Sequence, residues 1–180
     1  MVYLLLADGF EEIEALTPVD ILRRGGVEVQ TVGITGKTVM GSHGIPVVAD
    51  ILPEELGEEL EMVIFPGGLP GSDHLHESAV TDRLLALAEA RGAHVAAICA
   101  APYLLGLRGL LEGLRATSYP DEKFRNALKG ATVSDERVVT DGRFTTAQGM
   151  GVAEEFGLRL LALLRGEEAA AKVAASAIMR

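Results

Sequence analysis

The sequence predicts an α/β fold with a mainly parallel sheet that is covered by helices on both faces. Apolar runs of strand length alternate with helical patterns over nearly the whole chain. Glycine and proline turns separate these units, and neither an internal repeat nor a linker divides the chain. We therefore expect one domain over residues 1–180, a length that is sufficient to bury a proper core.

The strands are predicted from short apolar runs that end at turn residues. Pro46 is poorly tolerated inside a sheet, so the two short runs around it are predicted as edge pieces. The turn Asp141-Gly142 joins two further runs into a hairpin. The predicted strands are 2–7, 27–32, 39–40, 45–48, 62–65, 94–98, 137–140 and 143–146.

The helices are predicted from apolar residues that recur at helical spacing. The first is expected from about Glu12 to Arg24, where Gly25 ends it, and we expect Pro18 to kink or restart it. The other predicted helices are one that carries Val80, Leu84, Leu87 and Ala88, one directly after residue 99, one from Gly151 to Gly166, and one over 167–178.

Ligands of parallel α/β sheets bind beyond the carboxyl ends of the strands. Three predicted loops leave strand ends there: residues 8–14, residues 66–72, and the corner at Cys99. These loops are where we expect the chemistry of this chain.

Cys99 is the only cysteine, and it lies between a buried strand and the start of a helix. Backbone N–H groups at a helix N-terminus favour the thiolate, so we expect a pKa below the ~8.5 of a free cysteine. Because the thiolate is the reactive form, this position indicates a nucleophile. The alternative is an inert thiol that fills a gap in the core.

A thiolate nucleophile needs a proton carrier and a site for an oxyanion. Glu14 has apolar neighbours and can face inward, where burial would raise its pKa and keep it protonated near neutrality. Backbone N–H groups of Gly68 and Ala100 could form an oxyanion hole, with Gly67 beside them. A tight turn that merely needs glycine is the alternative for Gly67 and Gly68.

The histidines exclude one arrangement, since none follows the cysteine in the chain. A Cys-His dyad with a downstream base, as in glutamine amidotransferases, is therefore impossible. His74, His76 and Glu77 lack a clear third ligand, so no metal site is predicted. No phosphate-binding loop, dinucleotide fingerprint or zinc pattern is present.

Composition narrows the partners and the compartment. A net charge of −10 argues against nucleic acid or an anionic membrane as a partner, because both would repel the chain. A single cysteine cannot form an intramolecular disulfide, which fits a reducing cytoplasm. The apolar start at 2–7 is too short for a signal sequence or a membrane span.

Taken together, these motifs resemble the ThiJ/PfpI family, in the branch of the parkinsonism-associated protein deglycase. The resemblance spans essentially the whole chain. It is carried by the early acidic stretch 7–14, the segment 18–25, Phe65-Pro66-Gly67-Gly68, and the cysteine corner 96–102. It implies a flavodoxin-like sandwich, similar to class I glutamine amidotransferases, that forms a homodimer.

The resemblance also implies roles for individual residues. Cys99 corresponds to the family nucleophile, Glu14 to the protonated acid that bonds it, and Gly68 and Ala100 to the backbone donors beside the sulfur. Relatives are associated with glyoxalase or deglycase activity on small α-oxoaldehydes or their adducts, without a metal or other cofactor. They are also associated with oxidation sensing through a cysteine sulfinate and with chaperone-like behaviour. The peptidase branch has histidine where this chain has Ala100, so proteolysis is disfavoured.

Two departures from the family pattern concern the pocket. Tyr119 stands where many relatives have a histidine, and tyrosine is a poor base near neutral pH because its unperturbed pKa is ~10. His43 stands where relatives often have arginine, in a segment that can reach the partner subunit's site. His43 could replace that cation only when it is protonated.

Overall fold

A computed structural model describes residues 1–179 and places a six-stranded sheet at the centre of the molecule. The strand order is β2-β1-β5-β6-β10-β9, and every neighbouring pair is parallel except β9 with β10. The six strands are β1 Val2–Leu6, β2 Val29–Gly33, β5 Met62–Phe65, β6 His94–Ile98, β9 Val138–Asp141 and β10 Phe144–Ala147. The predicted mainly parallel sheet and its terminal hairpin are confirmed.

Helices cover both faces of this sheet. Apolar residues of α1, α6 and α7 pack on one face, and those of α2, α3 and α4 pack on the other. The helices are α1 Glu12–Arg24, α2 Gly71–Glu77, α3 Ala79–Arg91, α4 Pro102–Leu107, α5 Glu122–Arg125, α6 Ala153–Arg165 and α7 Glu167–Ser176. Within residues 1–179, no helix has both the length and the hydropathy needed to cross a bilayer.

The first strand is apolar at every position because both of its faces are covered by helices. Side chains alternate across a strand, so Leu4 and Leu6 pack under α1 and α6, whereas Tyr3 and Leu5 pack on the opposite face. All four are buried because both faces are covered. Burying such a leucine contributes about 1.5–3 kcal/mol, so both helical layers stabilise the strand that leads to the site.

The structure refines two expectations about individual elements. The helix α1 continues through Pro18 without a restart. Pro18 is buried, and the helix packs there closely against Gly157 of α6. A Cβ added at Gly157 would lie only 3.2 Å from the Cα of Pro18. The lost N–H bond is therefore compensated by packing. The pieces around Pro46 do not extend the main sheet; β3 Thr38–Met40 and β4 Pro46–Val48 form a separate antiparallel hairpin.

A further small pair of strands lies beside the main sheet. It consists of β7 Arg115–Ala116 and β8 Thr132–Val133, which are parallel to each other. The segment after β7 returns to the carboxyl edge of the main sheet, where the Tyr119 N–H donates to the Cys99 carbonyl at 2.8 Å. This connection brings residues 117–120 next to the predicted corner.

Candidate active site

Cys99 occupies a strained corner at the end of β6. Its φ is 64°, a left-handed conformation that side chains other than glycine rarely adopt. Its N–H donates to the Ala147 carbonyl at 2.9 Å, and its carbonyl accepts the bond from Tyr119, so both peptide groups are fixed. Non-glycine residues persist in such conformations where the surroundings over-determine them, and they cluster at functional sites. The half-buried thiol is thereby held at the edge where the predicted loops meet.

Glu14 reaches this corner from the first turn of α1. The residue is 1 % exposed, and its carboxylate accepts the Gly67 N–H at 3.0 Å, a second backbone bond from Met150, and a side-chain bond with Cys99. The Glu11 side chain caps the helix by accepting the Glu14 N–H at 2.7 Å. The expectation that Glu14 turns inward is confirmed by the structure, which places it against the sulfur.

The two expected backbone donors also lie at the sulfur. The N–H groups of Gly68 and Ala100 both form hydrogen bonds to the Cys99 side chain. Gly67 is required by packing, because a Cβ there would lie 2.4 Å from Oε2 of Glu14 and 2.6 Å from Cβ of Cys99. Gly67 therefore permits a close approach of the backbone to the nucleophile, whereas Gly68 has a φ of 88°, a left-handed conformation of the turn that favours glycine.

The ionisation of the pair differs in part from the prediction. Burial raises the pKa of Glu14 to about 7, as expected. Burial also raises the pKa of the Cys99 thiol far above its ordinary value, and the charge and hydrogen bond of Glu14 add to that rise. The expected lowering was therefore wrong, since loss of water and a nearby carboxylate outweigh the N–H groups of Gly68 and Ala100.

Because they are in contact, Cys99 and Glu14 titrate as a pair. The first proton leaves near pH 7 and the second only at strongly alkaline pH. Over the range between, the pair holds one proton, on the sulfur or on the carboxyl. The thiolate exists when Glu14 holds that proton, and Gly68 and Ala100 then stabilise the negative sulfur.

Tyr119 lies at the mouth of the site and His43 does not. Tyr119 is 47 % exposed, and its ring packs edge-on against Phe124 with centroids 6.2 Å apart. His43 is on the turn between β3 and β4, where its Nδ1 lies 2.9 Å from Oε2 of Glu12 and its N–H donates to Oε1 at 2.8 Å. Within residues 1–179, these contacts link His43 to α1 and not to the sulfur.

The bond between His43 and Glu12 perturbs both groups. Burial raises the pKa of Glu12, but its hydrogen bonds with His43 outweigh this effect and lower it to about 2. The same hydrogen bond raises the pKa of His43. Oxygen and nitrogen atoms of Glu11, Glu12 and His43 lie within 4.8 Å of one another. The ion pair and the helix cap formed by Glu11 account for this cluster.

The histidines considered as metal ligands make other contacts. His74 Nδ1 lies 2.9 Å from the Asp8 carbonyl oxygen, and His76 Nδ1 lies 2.8 Å from a guanidinium nitrogen of Arg108. The two imidazoles therefore have separate partners and do not converge on a common point.

Sequence reasoning missed Gly149 and Met150. A Cβ at Gly149 would lie 3.7 Å from Oε1 of Glu14 and 3.8 Å from Sγ of Cys99, and Met150 donates its N–H to the Glu14 carboxyl. Both follow β10, which runs parallel to β6 with Ala147 paired to Ile98 at their ends. The rule that sites lie at the carboxyl ends of strands applies to this fourth loop as well.

Comparison with known proteins identifies the family and the fold of this chain. A family model described as DJ-1/PfpI matches residues 1–163. Protein dj-1beta of Drosophila melanogaster is 37 % identical over 172 residues, which cover 94 % of this chain and 92 % of the relative. The Glutathione-independent glyoxalase DJR-1.2 of Caenorhabditis elegans is 33 % identical over 166 residues, covering 92 % and 88 %. The crystal structure of Drosophila melanogaster DJ-1beta superposes with a TM-score of 0.92 at 34 % identity, covering 99 % and 97 %. The chain belongs to the DJ-1/PfpI family, as the resemblance in its sequence had indicated.

Proposed function

We propose that this protein is a cysteine-dependent glyoxalase or deglycase that converts small α-oxoaldehydes, or their adducts, without a cofactor. The observation that carries the proposal is the buried pair of Cys99 and Glu14, with Gly68 and Ala100 donating to the sulfur. A relative of the same family is named a glutathione-independent glyoxalase, which supports the same class of reaction.

The first step uses the form of the pair in which Glu14 holds the shared proton. The Cys99 thiolate adds to the aldehyde carbon of methylglyoxal and forms a hemithioacetal. The backbone donors Gly68 and Ala100 are released from the sulfur as its charge moves to oxygen, so they can stabilise the new oxyanion. Glu14 then protonates that oxygen and becomes a carboxylate.

The second step moves one proton between neighbouring carbons and one between their oxygens. The Glu14 carboxylate removes the C–H proton of the hemithioacetal carbon and returns it to the adjacent carbonyl carbon, through an enediol. The hydroxyl proton passes from the first oxygen to the second, so the first carbon becomes the thioester carbonyl and the second carries the hydroxyl. The aldehyde carbon is thereby oxidised and the ketone carbon reduced, with no external oxidant. Water then hydrolyses the resulting thioester, which releases lactate and restores the Cys99 thiol.

The pair predicts a specific pH profile. The reactive form carries one proton, so kcat/KM for methylglyoxal should rise about tenfold per pH unit below pH 7 and level off above about 7. Initial rates of lactate formation between pH 5 and 9 measure it, with thermal melts at each pH to confirm folding. A profile that falls through pH 7 would contradict this assignment, because it would require both protons to remain on the pair.

We propose a homodimer, supported by an apolar surface beside the site. Ile13 and Leu16 of α1 are exposed, as are Met40, Ile45 and Val48 of the β3–β4 hairpin. The hairpin contacts α1 through His43 and Glu12, and exposed apolar side chains on adjoining elements are typical of protein–protein contacts. A groove of about 730 Å³ between α1, α6 and α7 shares Ile13 with this surface.

Light scattering should give twice the 19.0 kDa mass of one chain. Ile45→Glu should shift that mass to one chain, because it places a charge on the proposed interface. Val133→Glu is the matched control: Val133 is also exposed, but it lies on β8 and away from the hairpin. A monomeric mass for the unmodified protein would contradict the proposal.

We place the protein in the cytoplasm, with a small carbonyl compound as its ligand. The free thiol of Cys99 suits a reducing compartment. The net charge of −10 supports the absence of nucleic acid and anionic membrane from its partners.

A further inference from the structure

Gly149 lies next to the reacting atoms and to the Tyr119 ring. A methyl group in place of its hydrogen would lie 3.6 Å from Cδ2 of Tyr119, 3.7 Å from Oε1 of Glu14 and 3.8 Å from Sγ of Cys99. These are ordinary van der Waals separations. The space in front of Gly149 is thus bounded by the nucleophile, the acid and the tyrosine ring.

The backbone does not explain why this residue is glycine. Gly149 has φ 164° and ψ −170°, which is extended backbone that any residue adopts. Packing does not explain it either, since no neighbour lies closer than 3.6 Å to the position of a Cβ. Gly67 and Gly68 differ in this respect, because a Cβ there would meet neighbouring atoms at 2.4 Å.

We propose that Gly149 is a specificity-determining residue, whose missing side chain provides the room for the substituent of the α-oxoaldehyde. This inference rests on the proposed function and adds a steric limit to it. In this proposal, the substituent lies between Tyr119 and residue 149 when the aldehyde carbon reaches the sulfur. A side chain at Gly149 would occupy that passage without displacing Cys99 or Glu14.

The test compares Gly149→Ala with Gly151→Ala. Gly151 lies in the same segment, but no atom lies within 4 Å of its Cβ position. For Gly149→Ala, we expect kcat/KM to fall roughly 10- to 100-fold more for methylglyoxal than for glyoxal, which has only hydrogen as its substituent. The kcat/KM of Gly149→Ala should fall further for phenylglyoxal than for methylglyoxal. Gly151→Ala should keep the substrate selectivity of the unmodified protein. Equal losses for all three substrates, or the same selectivity change in Gly151→Ala, would overturn the proposal.

Alkylation of the single cysteine provides a readout that does not require turnover. Gly149→Ala should slow the reaction of Cys99 with the bulky N-phenylmaleimide more than its reaction with iodoacetamide, and thermal melts should show both variants folded. If Cys99 of the unmodified protein is alkylated but the protein converts no oxoaldehyde, the proposed function fails. The comparison of the two alkylating reagents still tests the steric role of Gly149 in that case. If size discrimination is unchanged in the folded variant, the role of Gly149 is refuted whatever the activity.

Discussion

Cys99→Ala is expected to abolish lactate formation from methylglyoxal, with a loss of roughly 10⁴-fold or more, as for other removed nucleophiles. The chain has no second cysteine, so no other thiol can take its place. Alanine, like cysteine, carries a Cβ, so the strain of the backbone at φ 64° is the same in the variant as in the unmodified protein. The loss should therefore report the missing sulfur rather than a changed fold.

Chromatographic detection of lactate measures this result, with circular dichroism and a thermal melt to compare the folds. Cys99→Ser is the closer match in shape and should also be inactive, because a hydroxyl beside Glu14 is a much weaker nucleophile. Undiminished turnover in the folded alanine variant would exclude the proposed mechanism.

Turnover, oxidation and alkylation of the unmodified protein distinguish the alternative functions. A redox sensor or holdase would give no turnover in the unmodified protein, yet mild peroxide would add two oxygens selectively at Cys99, visible by mass spectrometry. An inert thiol would react with neither peroxide nor iodoacetamide near neutral pH. Lactate formation that depends on Cys99 is the outcome that supports the enzyme.

The fold was predictable because its signals are local. The strand β1 is apolar at every position, since both faces of the sheet are covered, and the helix α1 shows its bounds through its apolar spacing and Gly25. Glu14 could be chosen among the three early glutamates because its neighbours are apolar. The corner at Cys99 was visible as a strand that passes directly into a helix start.

The parts that were missed depend on contacts between distant segments. The pKa of Cys99 is set by its burial and by the carboxyl of Glu14, 85 positions earlier in the chain. The local sequence around Cys99 indicates only the helix start, which would lower the pKa. Gly149 carries no motif, and only the pairing of β10 with β6 brings it to the sulfur. The pairing of His43 with Glu12 likewise requires the β3–β4 hairpin to fold against α1.

Glu14→Gln is expected to reduce turnover by roughly 10²- to 10⁴-fold, the usual contribution of a general acid–base group. Glutamine has the same size, so it can fill the buried position and accept the Gly67 N–H in the same way. It cannot take the shared proton or return one to carbon. Both steps assigned to Glu14 should therefore fail while the site remains packed.

Alkylation distinguishes this result from a collapsed site. Iodoacetamide should still label Cys99 in Glu14→Gln, because the thiol keeps the N–H donors of Gly68 and Ala100. Glu154→Gln, on the exposed side of α6, is the control and should retain full turnover. Full turnover in Glu14→Gln would show that another group carries the proton. Equal loss of turnover and of labelling would show that Glu14 holds the corner in place and need not transfer protons. Only loss of turnover with a reactive sulfur assigns the proton transfer to the buried carboxyl.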